Sequence, residues 1–277
     1  MTSKRILITG ANSYIGTSFE KYLNKYNAEH EEEYYVVDTL DMKSSSWKDY
    51  DFSKYDVVLH LAGIVHQKET EDNRELYYIV NRDLAFETAR KAKESGVSYF
   101  IYFSTMSVYG LITGIIDQNT QEKPQNAYGK SKLEGEKLIK SLEDDRFKVA
   151  IIRPPMIYGE GCKGNYKTLS NIINYCPIFP DFPNKRSLIS IENLCKFLLE
   201  LISKEKNGLF LPQNPEYVST TQLVRDIAYF KKKKIYFTKL FNPIIRYFCK
   251  SDFSNRFPLM CKKAFGNLIY DKSLGKD

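Results

Sequence analysis

Side chains suited to proton transfer occur in two short segments of the chain. Tyr128 and Lys132 stand four residues apart, a spacing that puts a phenol and an ammonium on the same face of a helix. Upstream, Thr105 and Ser107 follow the apolar run 99–103, so hydroxyl groups stand at the end of a predicted strand. This set suits hydride chemistry at a carbinol or ketone. Tyr128 would exchange a proton with the oxygen, Thr105 would orient it, and Lys132 would favour the phenolate.

A glycine-containing turn lies between the first predicted strand and the first predicted helix. Gly10 permits a tight turn, and Gly16 permits close packing of the helix on the strand. The free N–H groups at such a helix start can bind a pyrophosphate, which predicts a dinucleotide site. Ser13 occupies the place of the expected middle glycine, where it either donates a hydrogen bond to phosphate or crowds it. The predicted cofactor contacts are Gly10, Asn12, Ser13, Tyr14, Ile15 and Gly16.

Two acidic residues near the end of the second predicted strand are candidates for binding the adenosine ribose. Asp38 and Asp41 both fit the spacing, and the choice between them stays open. An acid here disfavours a 2′-phosphate and therefore favours NAD over NADP, while Lys43 close by weakens that preference. The expected cofactor is NAD or NADP, in the reduced form if the enzyme is a reductase.

The elements that must position these residues alternate between strand and helix. This alternation predicts an α/β fold with a Rossmann-like, doubly wound parallel sheet. After residue 160 glycine and proline become frequent. We therefore predict a dinucleotide-binding domain at 1–160 and a smaller substrate-binding lobe at 161–277, from which segments can return to the main sheet. The predicted strands are 5–9, 34–40, 56–60, 99–103 and 149–152, and the predicted helices are 14–25, 72–95 and 128–141.

Composition excludes several classes of protein. The 277 residues are 43% hydrophobic and 27% charged, which is usual for a soluble globular protein, and no apolar run approaches the roughly 20 residues that cross a bilayer. The N-terminal apolar run has no cleavage-site pattern and is interpreted as a strand, so a cytoplasmic location is expected. The five cysteines and three histidines show neither a CxxC pair nor zinc-ligand spacing, so no metal is expected.

Positive charge is concentrated towards the C-terminus. From Arg225 to Asp277 there are 13 Lys and Arg against 4 Asp and Glu, an excess of 9, whereas residues 1–224 hold 28 against 30. The excess centres on Lys231–Lys234 and continues into the aromatic stretch 239–250. We favour the interpretation that this stretch is a solvated turn followed by a helix that covers an apolar pocket. Peripheral association with an anionic membrane is the alternative. No RNA- or DNA-reading motif accompanies the aromatics, so nucleic acid is not an expected partner.

In these motifs the chain resembles the extended short-chain dehydrogenase/reductase family, the NAD-dependent epimerases and dehydratases that act on nucleotide sugars. The resemblance covers nearly the whole chain. It rests on TGANSYIG (9–16), LHLAG (59–63), Val80-Asn81, FSTMSVYG (103–110), YGKSK (128–132), RPPMIYG (153–159) and KRSLISIENL (185–194).

The resemblance implies roles for particular residues. The catalytic set would be Thr105, Tyr128 and Lys132, with Lys132 also on the cofactor ribose, and the turn at Arg153 would lie against the nicotinamide end. Arg186 would bind the diphosphate of a UDP-sugar, a role that suits the guanidinium fork. Asn165 would contact the sugar nucleotide or serve only as a helix N-cap. The remaining implied contacts are Leu61, Ala62, Gly63, Tyr128 and Pro155 to the cofactor, and Ser107 and Lys163 to the substrate.

The residues after Thr105 reduce the number of reactions that the chain is expected to catalyse. In this family 4,6-dehydratases carry Asp-Glu at these positions, because elimination of water needs an acid and a base beside the site of hydride transfer. This chain has Met106 and Ser107 there, and neither side chain can transfer those protons. A 4-ketoreductase and a 4-epimerase remain. Segment 161–166 and the short lobe resemble a bacterial subgroup that reduces UDP-4-keto-6-deoxy-N-acetylglucosamine to UDP-N-acetylquinovosamine or UDP-N-acetylfucosamine for surface polysaccharides.

We therefore favour the reductase. A UDP-hexose 4-epimerase with tightly held NAD is the alternative, and a non-catalytic dinucleotide sensor is a third interpretation. Members of the family often dimerise through a four-helix bundle, which here would use the helix at 72–95 and the helix that begins at Tyr128. A homodimer is therefore an expected assembly.

Overall fold

The computed structural model describes residues 3–30, 34–65, 67–162, 164–251 and 256–274, with the backbone alone for Asn165 and Arg256. The strands are β1 (Lys4–Thr9), β2 (Tyr35–Leu40), β3 (Val57–His60), β4 (Tyr99–Phe103), β5 (Gly114–Ile116), β6 (Lys148–Ile152), β7 (Met156–Tyr158), β8 (Ile178–Pro180), β9 (Leu188–Ser190), β10 (Gly208–Phe210), β11 (Tyr236–Thr238) and β12 (Leu268–Tyr270). The helices are α1 (Tyr14–His30), α2 (Arg74–Tyr78), α3 (Ala85–Glu94), α4 (Ala127–Lys140), α5 (Asn165–Tyr175), α6 (Ile191–Lys204), α7 (Thr220–Phe230), α8 (Asn242–Lys250) and α9 (Arg256–Phe265).

The first of two compact units contains the main sheet. It comprises Met1–Gly110, Glu122–Pro154 and Ile191–Pro212. Six parallel strands are ordered β10-β6-β4-β3-β1-β2, which confirms the predicted doubly wound sheet. The order reverses between β1 and β3, and ligands of such sheets bind in the crevice at the carboxyl ends of the strands at this point.

Helices cover the sheet and hold its strand ends in place. Every residue of β4 is buried, as expected where both faces of a parallel sheet are covered. On one face, Ala85 and Ala89 of α3 and Ile139 of α4 belong to the same core cluster as Phe100 and Tyr102 of β4. Helices α1 and α6 contact each other. The hydroxyl residues that follow β4 therefore stand on a rigid support.

The second unit has its own core. It comprises Leu111–Gln121, Pro155–Ser190 and Gln213–Asp277. Its strands form three parallel pairs, β5 with β12, β7 with β9 and β8 with β11. Phe179, Leu188, Leu223 and Ile227 are among the buried residues of its core cluster.

The two units interleave along the chain, and segments beyond the boundary predicted at residue 160 belong to the first unit. Helix α6 and strand β10 belong to the first unit, because β10 extends the main sheet with Leu209 opposite Ile151. Strand β5 belongs to the second unit, because Ile115 lies opposite Ile269 of β12. These pairings join segments far apart in sequence, so no change of composition marks them.

The helix predicted at 72–95 also differs in detail. The chain is helical from Arg74 to Glu94, but Ile79–Leu84, between α2 and α3, forms a π-helical turn. Such single turns insert an extra residue into an α-helix and occur frequently at functional sites. This turn carries the buried Asn81.

Candidate active site

The structure brings together the three residues predicted to be catalytic. Thr105 follows β4 and caps a short 3₁₀ turn, where its hydroxyl oxygen accepts a hydrogen bond from the Ser107 amide at 3.1 Å. Tyr128 lies in the first turn of α4, whose N-terminus is capped by Asn126 through a 2.8 Å hydrogen bond from the Gly129 amide. The Thr105 hydroxyl lies near the Tyr128 phenol, where it acts to lower the pKa of that phenol. The segment after β4 and the start of α4 therefore bring two hydroxyl groups near each other.

Tyr128 is held in its protonated form. Burial raises the pKa of the Tyr128 phenol to about 12, although the hydrogen bond from Thr105 acts in the opposite direction. At neutral pH the phenol therefore carries its proton. A protonated phenol can serve as a general acid towards an oxygen placed beside it.

Lys132 lies one helical turn after Tyr128 and is almost completely buried. Its ammonium donates a hydrogen bond to the Phe103 carbonyl at 2.7 Å and stands 4.8 Å from the centre of the Tyr102 ring. Burial lowers the pKa of Lys132 to about 7, and Glu136 partly opposes this shift. The ammonium keeps further N–H groups for hydroxyls such as those of a ribose.

Asn81 links the π-helical turn to the site. Its side-chain oxygen accepts from the Ile64 amide at 2.9 Å, and its side-chain nitrogen donates to the Ile64 carbonyl at 3.2 Å. The same nitrogen lies 3.3 Å from the Ser131 hydroxyl, and the Tyr102 phenol donates to the Asn81 carbonyl at 2.6 Å. Asn81 thus ties the loop after β3 to α4.

The glycine turn has the geometry of a phosphate cradle. Gly10 has a φ of +88°, and a Cβ there would lie 2.8 Å from the Ala62 nitrogen. The Ser13 hydroxyl accepts a hydrogen bond from the Gly16 amide at 3.2 Å, so Ser13 caps α1 and keeps its own proton for donation. Because the N-terminus of α1 lies at the switch point of the sheet, these residues fit a dinucleotide.

The predicted cofactor contacts after β3 adjoin the catalytic residues. The Leu61 amide donates to the Thr9 carbonyl at 3.1 Å, which keeps the ends of β1 and β3 together. At Gly63 a Cβ would lie 2.9 Å from the Asn81 side-chain oxygen and 3.3 Å from the Lys132 nitrogen. Only a residue without a side chain fits between these groups. Leu61, Ala62 and Gly63 therefore lead from the glycine turn to Lys132.

The two acidic candidates have different surroundings. Asp38 lies inside β2 and accepts a 2.7 Å hydrogen bond from the Tyr55 phenol, with the Arg5 guanidinium 3.8 Å away. Asp41 follows directly after β2, whose last residue, Leu40, accepts hydrogen bonds from the amides of Gly10 and Ala11. Asp41 is exposed at the level of the glycine turn, which supports it as the ribose ligand.

Replacing Asp41 with asparagine is expected to weaken NADH binding by roughly 10- to 100-fold, the effect of losing a hydrogen bond to a charged group. Asp38→Asn is the matched control and should change the dissociation constant by less than about threefold, because the Asp38 carboxylate is engaged by Tyr55 and Arg5. Fluorescence titration of each variant with NADH and NADPH measures both effects. The reverse ranking of the two variants would assign the ribose to Asp38.

A buried ion pair behind the site was not anticipated. The Arg153 guanidinium donates to both carboxylate oxygens of Glu136, at 2.6 Å from Nη2 and 3.0 Å from Nε. Nη1 donates to the Tyr109 phenol at 2.9 Å and to Glu122 at 3.0 Å. The Arg153 side chain therefore faces the core beneath α4, whereas the Pro154 carbonyl accepts from the Met106 amide beside Thr105. The feature of the sequence that could have indicated this ion pair is Glu136, which stands four residues after Lys132.

The predicted substrate contacts fall in both units. Ser107, in the first unit, is exposed and its hydroxyl lies 3.2 Å from that of Thr105. Arg186, in the second unit, donates to the Gly266 carbonyl at 3.0 Å, and burial lowers the pKa of its guanidinium. Asn165 is the first residue of α5 and is not its N-cap, which is Gly164 with a φ of +73°. Lys163 lies outside the described residues, and Pro155 begins a segment of the second unit.

Comparison with known proteins places this geometry in context. Residues 6–210 match the family model described as the NAD dependent epimerase/dehydratase family. The UDP-glucose 4-epimerase of Vibrio cholerae is 30% identical over 246 residues, which cover 81% of this chain and 75% of that protein. The N-acetyl-alpha-D-glucosaminyl-diphospho-ditrans,octacis-undecaprenol 4-epimerase of Escherichia coli O157:H7 is 25% identical over 244 residues, which cover 83% and 73%.

A solved structure shows the same fold. The dTDP-4-dehydrorhamnose reductase of Bacillus anthracis in complex with NADP superposes with a TM-score of 0.69 at 20% identity. The match covers 98% of this chain and 91% of that chain. At this level of identity the likeness concerns the fold alone.

Proposed function

Because the chain belongs to the NAD-dependent epimerase/dehydratase family, we propose that it reduces the 4-keto group of a UDP-4-keto-6-deoxy-N-acetylhexosamine. The product would be UDP-N-acetylquinovosamine or UDP-N-acetylfucosamine. Membership confirms the predicted family and the predicted cofactor class, NAD or NADP.

The observation that carries this proposal is the position of Tyr128, a buried phenol beside the Thr105 hydroxyl. Its pKa of about 12 keeps the phenol protonated at neutral pH, the form that reduction of a ketone requires. An epimerase starts from an alcohol and first needs a base to remove a proton. Tyr128 therefore has the proton that a reductase donates to the C4 oxygen.

The residues of the first unit have complementary tasks in this reaction. When bound, NADH or NADPH supplies the hydride that C4 of the sugar receives. Tyr128 donates its proton to the C4 oxygen, so that the carbonyl becomes an alcohol, and the Thr105 hydroxyl orients that oxygen. Lys132 holds the ribose hydroxyls and stabilises the phenolate that remains after proton transfer. The phenolate then recovers a proton from solvent.

The turn after Thr105 argues against elimination of water. Met106–Tyr109 contains no carboxyl group, whereas dehydration across C5 and C6 needs an acid and a base beside the site of hydride transfer. The hydroxyl of Ser107 is well placed to hydrogen-bond the sugar without doing proton chemistry. Reduction or epimerisation at C4 remains the chemistry that these side chains support.

Arg186 is the proposed ligand of the diphosphate. The ion pairs of the second unit, among its described residues, join Arg225 to Asp181 and Lys272 to Glu216. Neither pair includes Arg186, whose half-buried guanidinium has more donors than the one bonded to the Gly266 carbonyl and can offer them to phosphate oxygens.

A 4-epimerase that interconverts UDP-hexoses is the second candidate. The observation that favours it is the 30% identity to the Vibrio cholerae UDP-glucose 4-epimerase over most of both chains. Thr105, Tyr128 and Lys132 could serve either reaction, since epimerisation oxidises and then reduces the same carbon.

The deciding experiment is a nicotinamide absorbance assay with the purified protein. UDP-4-keto-6-deoxy-N-acetylglucosamine is generated in place by a dehydratase, with excess NADH or NADPH present. We expect stoichiometric loss of the reduced cofactor, and none when the dehydratase is omitted. Interconversion of UDP-hexoses by protein that contains tightly held NAD, without consumption of added cofactor, would establish the epimerase instead.

A further inference from the structure

One face of α8 is apolar and points away from the core of the second unit. Leu240, Ile244 and Tyr247 follow at spacings of four and three residues, so they lie along one side of the helix and the turn that leads into it. Each is more than half exposed. The opposite side of α8 holds the buried Ile245 and Asn242, whose amide donates to the Asp181 carbonyl at 2.9 Å. Because its buried side is anchored in this way, α8 holds Leu240, Ile244 and Tyr247 in a fixed, exposed apolar stripe.

Helix α9 widens this apolar area. It packs on α8, and the rings of Phe248 and Phe257 meet edge to face with centres 5.1 Å apart. Phe257 and Met260 are both more than half exposed. Isolated exposed apolar residues are ordinary, but contiguous sets mark interaction surfaces.

Cations are frequent in the sequence on both sides of the stripe, and acids are rare there. Between Asp226 and Asp271 the sequence has ten Lys and Arg and a single acidic residue, Asp252. Lys231–Lys234 are exposed, as are Arg246 and Lys250 on α8. None of them takes part in the two ion pairs that the described residues of this unit form. We call Leu240, Ile244, Tyr247 and these six cations the basic apolar surface.

The combination of exposed apolar side chains with cations favours one kind of partner over others. A nucleic acid backbone would satisfy the cations but offers no apolar environment for Leu240 and Ile244. A second copy of the chain would bring cations against cations. A bilayer that contains anionic lipids satisfies both parts, because apolar side chains enter the boundary of the acyl chains while Lys and Arg meet the phosphates.

We propose that the basic apolar surface docks this protein on an anionic phospholipid bilayer. Leu240, Ile244 and Tyr247 insert between the headgroups, and Lys231–Lys234 with Arg246 and Lys250 lie against the lipid phosphates. The attachment is peripheral. In the described part of the chain, no helix is both long enough and apolar enough to span a membrane. The proposal is independent of the reaction assigned to the first unit.

Sedimentation with vesicles tests the proposal. The full-length protein is mixed with vesicles of phosphatidylcholine alone or with phosphatidylglycerol added, at low and high salt. We expect binding only to the anionic vesicles, and loss of most of it at high salt. Replacing Lys231–Lys234 with glutamine should lower the partition coefficient by about fivefold for each lysine that reaches the surface.

The apolar stripe is tested separately. The triple variant Leu240→Ser, Ile244→Ser and Tyr247→Ser keeps every cation and should bind about tenfold more weakly, because binding scales with buried apolar area. Ile115→Ser is a matched control, since Ile115 is as exposed as Ile244 and lies in the same unit. It should bind as the unchanged protein does. Circular dichroism and turnover of the dissolved substrate establish that each variant is folded.

Three results would overturn docking on a bilayer. The first is failure to sediment with anionic vesicles at low salt. The second is equal binding by the triple serine variant and the unchanged protein, which would reduce the surface to a general binder of polyanions such as duplex DNA. The third is self-association, measured by analytical ultracentrifugation, that is lost in the triple variant.

Discussion

Replacing Tyr128 with phenylalanine is expected to lower turnover of the keto sugar by about two to four powers of ten, the usual contribution of a general acid. The phenol oxygen is where Thr105 and α4 converge, and its pKa of about 12 keeps a proton available at neutral pH. The ring itself remains, so NADH should bind as before. Single-turnover measurement of cofactor oxidation, alongside fluorescence titration with NADH, separates chemistry from binding.

Tyr77→Phe is the matched control for this prediction. Its ring lies 6.3 Å from the ring of Tyr128, and its phenol donates to the Gln67 carbonyl at 2.9 Å. Loss of that hydroxyl should reduce turnover by less than about tenfold, because the net worth of one ordinary hydrogen bond is about 1 kcal/mol. Full activity of Tyr128→Phe, or equal losses in both variants, would remove Tyr128 from the reaction.

Replacing Glu136 with glutamine is expected to lower the free energy of unfolding by about 3–5 kcal/mol. Both side chains of the Arg153–Glu136 pair are about 95% buried, since their exposed fractions are 4% and 5%. Without the carboxylate, the Arg153 charge stays in the core with only the more exposed Glu122 and the Tyr109 phenol as partners. Urea denaturation followed by circular dichroism measures the loss.

Glu134→Gln, on the same helix, supplies the comparison. Glu134 forms an ion pair with Arg82 at 2.9 Å but is 46% exposed, and such surface pairs contribute at most about 1 kcal/mol. A loss in Glu136→Gln no larger than in Glu134→Gln would show that the buried pair is not what holds α4 against β6. Replacing both Arg153 and Glu136 with methionine should cost less than Glu136→Gln, because no charge is left unpaired.

Several elements of the site were predictable because they depend on residues close together in sequence. The glycine turn follows from Gly10 and Gly16 between an apolar strand and a helix. The shared helix face of Tyr128 and Lys132 follows from their spacing of four. Thr105 was predicted at a strand end because the apolar run before it is bounded by hydroxyl residues. These features need only backbone periodicity, which short segments encode.

Other predictions differed from the structure because contacts between residues far apart in sequence override the local pattern of apolar residues. The periodicity of 72–95 predicted one regular helix, but Asn81 sits in a π-helical turn that turns its amide onto Ile64, 17 residues away. The predicted domain division allowed segments after residue 160 to return to the main sheet without saying which, and β10 is such a segment, next to β6. A hydrogen-bonding partner or a strand neighbour at such distances leaves no mark in the spacing of apolar residues.

The sequence by itself therefore determined the family, the parallel sheet and the identity of the proposed acid. Tertiary structure decided the energetic state of these groups. The pKa of Lys132 falls to about 7 because α4 buries its ammonium between Phe103 and Tyr102, and Arg153 faces Glu136 because α4 packs against β6. Burial, and charges that are close in space but far apart in sequence, determine these pKa values and pairings. Both arise only when segments remote in sequence pack together.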